Sequence, residues 1–222
     1  ADPVNISPES KVINAVTELS EALVNVKKAN ESKFTKSTGE SIALASAKSD
    51  SSRGSFEVTI TNLARVQKSQ SSEFSSATDK FGSGVLTFQS GDAEFKITVA
   101  GNLKDVAKQI NEAEDNIGVT ASVVEAEGKA RLVIHSDNTG SDNQFKITES
   151  GAGVSAAGGG FDLVTAAEDA TGTVNGRGFT SASNDFEDET SGVTFELKAR
   201  GATRITVADD ELARSTARND LL

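Results

Sequence analysis

The stretch from Asn111 to Gly140 reads NEAEDNIGVTASVVEAEGKARLVIHSDNTG, and with the run Asn102–Asn116 leading into it this segment decides the fold. Leu103, Val106, Ala107 and Ile110 recur at the i, i+3, i+4, i+7 spacing of a helix with one apolar face, behind Asn102 as N-cap. Gly118 ends that helix. Val119–Val123 and Arg131–His135 are β-rich runs on either side of Glu127-Gly128, the grammar of a hairpin. Asp137–Gly140 is a turn by composition. The order is helix, strand, tight turn, strand, turn.

Working outward, Val85–Phe88 and Phe95–Val99 form another hairpin around Ser90-Gly91-Asp92, and Phe145–Thr148 is a further strand. Gly82–Glu149 is therefore a ββαβββ unit. Before it, Phe56-Glu-Val58-Thr-Ile60-Thr61 alternates strictly, as a half-buried strand does. Leu63–Gln67 follows, and then a Ser-rich segment, helical or irregular, to Phe81. After the unit, Gly151–Gly160 is low in complexity, Phe161–Val164 is a short strand and Thr171–Gly176 enters an Asn-Gly turn. Polar Ser181–Asn184 and acidic Asp185–Glu189 precede the last strands, Val193–Leu197 and Arg204–Val207. Strands on both sides of a complete βα unit predict an insertion, with 56–61 pairing with strands in 171–207. The class is α+β.

At the N-terminal end, Ser7-Pro8-Glu9 has the form of a helix start: N-cap, first-turn Pro, first-turn acid. Val12, Val16, Leu19, Leu23 and Val26 then mark a narrow a/d seam of the coiled-coil or bundle kind. Such a helix either lies on its own domain as an ordinary amphipathic helix or buries its seam against a partner helix. No other stretch promises a helix of that length, so the expected partner lies outside these residues. Glu31–Gly54 turns polar, with Phe34, Ile42 and Leu44 as its apolar anchors, and reads as a linker or an extended connection rather than a packed element. Glu211–Leu222 begins a polar helix.

A chain of 222 residues suggests two domains. It has no Cys, Met, Trp or Tyr, so thiolate chemistry is excluded and Phe supplies every aromatic ring. A net charge of −11 argues against nucleic-acid and anionic-membrane surfaces. No apolar run is long enough to span a bilayer, and no signal peptide is evident. Ala1-Asp2-Pro3, with no initiator Met, reads as a vector remnant on a fragment.

Nothing in the chain reads as a catalytic, cofactor or metal site. His135 is the lone histidine, on the strand face opposite Leu132 and Ile134, where it is expected to be exposed. Gly151-Ala-Gly153-Val-Ser-Ala156 matches a dinucleotide fingerprint by letter, but Gly158–Gly160 follow where a helix should open. Asp137, Asn138, Asp142 and Asn143 are turn residues without an EF-hand register. Asp185, Glu187, Asp188 and Glu189 read as a solvated acidic face. A glycosidase is disfavoured by the lack of Trp or Tyr platforms for sugar rings.

Gln109-Ile110-Asn111, Ile117–Ala121, Ala130–Ile134 and Ser136–Gly140 together resemble the hook IN module of flagellar hook-associated proteins and some flagellins. The signature positions are Ile110, Asn111, Gly118 and Gly140. Phe56–Gln67, with Leu63-Ala64 and Gln67, resembles the "LA..Q" segment of the filament-cap family, hook-associated protein 2. Val174-Asn-Gly176, Phe179–Asn184 and Ser191–Leu197 resemble the start of that family's second conserved half. The resemblance spans nearly the whole chain. It departs at Glu211–Leu222, which lacks the apolar F-V-x-x-Y-N helix of the family. The return half of the leg is therefore expected outside this chain.

What the resemblance implies is a leg helix and linker (1–50), a discontinuous plate domain (51–81 and 166–208), an inserted domain with the IN module (82–165) and the start of a return helix (209–222). It implies a non-enzymatic, extracellular structural protein at the flagellum tip. In full-length form it would be a homo-oligomer that meets flagellin and hook-associated proteins, without cofactors, nucleic acid or membrane insertion. Val12, Val16, Leu19, Leu23 and Val26 would pack in the leg bundle. The alternatives are another axial flagellar protein, such as a hook–filament junction protein, or a surface adhesin that binds host glycan.

Overall fold

The computed structural model describes residues 8–151, 153–154 and 161–220; Ser7 and most of the Gly151–Gly160 run lie outside the described residues. Helix α1 (Pro8–Glu31) leads into β1 (Lys33–Ser37), β2 (Ala43–Ala47), β3 (Gly54–Asn62) and β4 (Lys68–Gln70). The hairpin β5 (Phe81–Ser90) and β6 (Ala93–Gly101) follows, then α2 (Leu103–Asn111), then the hairpin β7 (Val119–Ala126) and β8 (Lys129–Ser136). A 3-10 turn at Ser141–Asn143 precedes β9 (Lys146–Ser150), β10 (Asp162–Thr165), β11 (Ala170–Val174) and β12 (Arg177–Ser181). The chain closes with β13 (Asp185–Asp188), β14 (Val193–Leu197), β15 (Gly201–Asp209) and α3 (Glu211–Asn219). It is an α+β chain, mostly sheet.

The chain forms two compact units. One takes Ala1–Thr59, Val174–Gly176 and Asp185–Leu222; the other takes Ile60–Thr173 and Arg177–Asn184. The division falls at 59/60 rather than 81/82, because β4 is a strand of the second unit's sheet, in the order β10-β4-β8-β7. In the second unit, α2 buries Leu103, Val106, Ala107 and Ile110. They share a core with Leu86, Phe88, Phe95, Val99, Leu132 and Ile134, and Phe88 stacks on Phe95 with ring centroids 4.6 Å apart. Full burial of each such aliphatic side chain contributes on the order of 1.5–3 kcal/mol. The other sheet there is β6-β5-β9.

In the first unit, β15 lies between β1 and β3, and β14 lies between β13 and β2. Alternation along β3 and β15 turns Phe56, Val58, Ile205 and Val207 inward. Phe195 of β14 meets Phe56 edge-on at 6.1 Å and stacks on Phe186 at 5.6 Å.

Several expectations need correction. The predicted linker Glu31–Gly54 contains two strands, β1 and β2, paired antiparallel with β15 and β14. Their local pattern is weak, with Phe34 and Leu44 as their only large apolar side chains, so the partners across the ladder, not the local pattern, make them strands. The Ser-rich segment before Phe81 is not helical: β4 lies in it, and Ser69 and Ser71 are buried. Ser71 Oγ accepts from Leu132 N at 2.9 Å and donates to Ser72 O at 2.8 Å, which satisfies the hydroxyl away from water. The helix predicted to Asn116 stops at Asn111, where side-chain amides take over the backbone's hydrogen bonds. The acidic stretch 185–189 is not a purely solvated face, since 185–188 form β13 and Asp188 is 7% exposed. Its Oδ2 accepts from Ser191 N and Oγ at 3.1 and 2.7 Å. His135 does lie opposite Leu132 and Ile134 on β8, but it is half-buried between Thr120 of β7 and Lys68 of β4.

Candidate assembly surface

In the IN module the asparagine performs a backbone role. Asn111, the last residue of α2, donates from Nδ2 to Ala121 O at 2.9 Å and accepts from Ala121 N at Oδ1 at 2.7 Å. One side-chain amide thus bonds both polar groups of a single β7 residue, as a neighbouring strand would. Only a carboxamide supplies the donor and the acceptor at that spacing. Ile110, just before it, is fully buried in the core.

Asn116 does similar work at the turn. Its Oδ1 accepts from Gly118 N and Val119 N, both at 2.9 Å, while Nδ2 donates to Ile110 O and Val119 O at 2.9 and 2.8 Å. Sequence reading passed over Asn116 as a helical residue. Gly118 has φ +90 and Gly140 has φ +102. At Gly140 a Cβ would also stand 2.7 Å from the Ala182 methyl and 2.9 Å from its backbone, so glycine is required on two grounds.

The LA..Q and Ser183-Asn184 stretches use the same device. Asn184 pairs with Ala64, accepting from its N at 2.8 Å and donating to its O at 3.0 Å. Gln67 pairs with Phe145 in the same way, at 3.1 and 2.6 Å. The residues that carry the resemblance are structural staples, several of them in the interior. The motif signal could have revealed their importance, but not their partners.

The seam on α1 is different. Val12, Val16, Leu19 and Leu23 are 53–63% exposed, with Val26 half-buried, and Ile13 and Val24 add exposed apolar surface beside them. The helix runs about 36 Å at 1.5 Å per residue, so the apolar stripe is long. No helix of comparable length was expected in the chain, and the short α3, within the polar helix predicted at 211–222, packs on α1. It does so near the far end, where Ala29 and Ala217 are buried and Arg214 Nη2 donates to Asn30 O at 2.9 Å. The seam itself stays open.

Elsewhere the polar groups are engaged in structure. Asp169 is held below the usual carboxylate range because its oxygens accept from Ser141 N and from Ser141 Oγ, each at 2.7 Å, which outweighs desolvation. Glu73 is lowered by its hydrogen bond to Arg131 and by that residue's charge. Of the acidic turn, Asp137 accepts from Thr120 Oγ1 at 2.6 Å and Asn143 donates to Thr139 O at 2.7 Å. Among the described residues no group of three or more His, Asp or Glu side chains is arranged to hold a metal ion. None of their helices is long and apolar enough to cross a membrane.

Residues 85–138 match the flagellin hook IN motif family. The flagellar hook-associated protein 2 of Aeromonas caviae is 37% identical over 163 residues, which cover 70% of this chain and 35% of that protein. The chain spans well under half the length of that relative. The D1-D2-D3 domains of the flagellar cap protein FliD from Escherichia coli share the fold, with a TM-score of 0.77 over 94% of this chain and 64% of that one, at 24% identity. The D2-D3 domains of the same cap protein are matched over 99% of their length and 81% of this chain, with a TM-score of 0.71 and 25% identity. In sequence and in fold, over the stretch it spans, the chain is a relative of the flagellar hook-associated protein 2 (FliD) family.

Proposed function

We propose that this chain is part of a filament cap at the distal, extracellular tip of a bacterial flagellum, where it promotes flagellin assembly as a structural protein rather than an enzyme. The observation that carries the reading is the open apolar seam on α1. Val12, Val16, Leu19 and Leu23 stay more than half exposed on a helix that begins a chain related to cap proteins. Soluble helices bury such stripes, so the seam fits a leg bundle completed by segments beyond those described. The β-rich parts of the two compact units serve as plate domains, and in the full protein the subunits form a homo-oligomer that meets flagellin and hook-associated proteins. Light scattering over a wide concentration range tests this, with this chain beside a protein of the relatives' full length. The expected result is a monomer for the chain and a discrete oligomer for the long form. Failure of the long form to associate at any concentration would overturn the cap reading and favour a glycan-binding adhesin.

A further inference from the structure

Both helices of the first unit spring from one point on the sheet, and a single carboxylate stands there. Asp209 is the last residue of β15 and pairs in the ladder with Lys33, the first residue of β1. α1 ends two residues before Lys33, and α3 starts two residues after Asp209. Asp210 caps α3 by accepting from Ala213 N at 2.9 Å, and its own N donates to Ser32 O at 3.1 Å.

Three cations converge on the carboxylate. Lys33 Nζ lies 3.0 Å and Arg53 Nε 2.8 Å from Oδ1, and Arg214 Nη2 lies 2.9 Å from Oδ2. The same Arg214 nitrogen donates to Asn30 O at the end of α1, while Nη1 meets Glu211 at 3.2 Å. The Lys33 side chain is 6% exposed, Asp209 12% and Arg214 19%, whereas Arg53 at 63% is largely in water. Arg214 Nε is buried without a hydrogen-bond partner, so the guanidinium is anchored through its Nη atoms alone. Removing the carboxylate would leave two largely buried cations uncompensated beside each other.

We propose that Asp209 is the pivot of a charge-locked joint that fixes the α1–α3 pair on the sheet edge of its own unit. With the carboxylate in place the pair is held by β1, β15 and the Arg53 segment together. Without it the helices turn as a body while the sheet stays folded. Desolvation raises the Asp209 carboxyl, but the Lys33 hydrogen bond and the charges of Arg214, Arg53 and Lys33 outweigh it and hold the group below its usual range. A depressed carboxylate contributes its stabilisation above the unfolded value and loses it as pH falls through the folded value. The joint therefore stays locked at neutral and mildly acidic pH and opens only in stronger acid. This inference goes beyond the cap reading and does not depend on it.

The chain has no Cys, so spin labels at Ser20→Cys on α1 and Glu196→Cys on β14 report a single distance. The parent is expected to give a narrow distance distribution. Asp209→Asn and Arg214→Gln are each expected to widen it about twofold, with hydrogen-exchange protection of β14 and β15 unchanged. In acid the parent should widen while Asp209→Asn does not change further. If Asp209→Asn fails to fold, Arg214→Gln decides alone. Unchanged widths in the folded variants overturn the proposal. Loss of β14 and β15 protection in both also overturns it, because the network would then be holding the sheet rather than the helices.

Discussion

Helices α1 and α2 carry the same kind of apolar spacing and meet opposite fates. On α2, Leu103, Val106 and Ile110 are wholly buried against two hairpins; on α1, Val12, Val16, Leu19 and Leu23 face outward. The period tells that a helix forms and which stripe is apolar. It does not tell what covers the stripe, since that depends on segments distant in sequence. α2 is flanked by strands whose turns return them onto it, whereas α1 is flanked on one side by residues outside those described and on the other by a strand that leads into the sheet. α2 therefore holds a fold together, while α1 leaves its apolar stripe exposed.

The largest effect that would sharpen this contrast is Ile110→Ala, expected to lower stability by about 2–5 kcal/mol in urea unfolding, as cavity-forming core truncations do. Unchanged stability would mean the α2 stripe is not the keystone it looks. Next comes Asn111→Asp, which removes the Nδ2 donor and sets a carboxylate against Ala121 O. A loss of about 1–3 kcal/mol is expected, with faster hydrogen exchange at the Ala121 amide. Equal stability would show that the side chain does not replace a strand partner.

A smaller effect follows pH. Asp169 is depressed chiefly by the Ser141 amide and then by its hydroxyl, so its contribution is present above the unfolded value and lost as pH falls through the lower folded value. The urea midpoint is expected to hold from neutral pH to mildly acidic pH and then drop. In Asp169→Asn that drop should be shallower, and an identical acid limb would contradict the assignment. The smallest effect belongs to α1. Leu19→Ala with Leu23→Ala is expected to change this chain's melting by no more than about 0.5 kcal/mol, the range of surface substitutions. A loss comparable with Ile110→Ala would show that the seam is already covered.

Much of the fold was legible in the residues. Asn102 and the α2 spacing marked a capped amphipathic helix, and it forms with Asn102 accepting from Lys104 N and Asp105 N. Glu127-Gly128 and Asn175-Gly176 marked tight turns, and all four residues take positive φ. β1 and β2 were not legible, because Lys33–Ser37 and Ala43–Ala47 hold little apolar pattern of their own. Their strand character comes from β15 and β14 across the ladder. The end of α2 was misplaced for a related reason: Asn111 and Asn116 are tolerable helix residues, but Asn111 bonds Ala121 of β7, and Asn116 bonds Gly118, Val119 and Ile110 O around the turn.

The sequence by itself determined the periods and the punctuation: where the strongly patterned helices and strands run, where the chain reverses, and that Ile110 closes the apolar face of α2. Those properties rest on interactions within a few residues, which a linear pattern records directly. Only the tertiary structure decided that Asn111, Gln67 and Asn184 pair with Ala121, Phe145 and Ala64, that Asp209 gathers three cations, and that the α1 seam stays open. Burial and hydrogen-bond satisfaction are decided between segments far apart in sequence. Each amide could have faced water until a particular backbone arrived beside it.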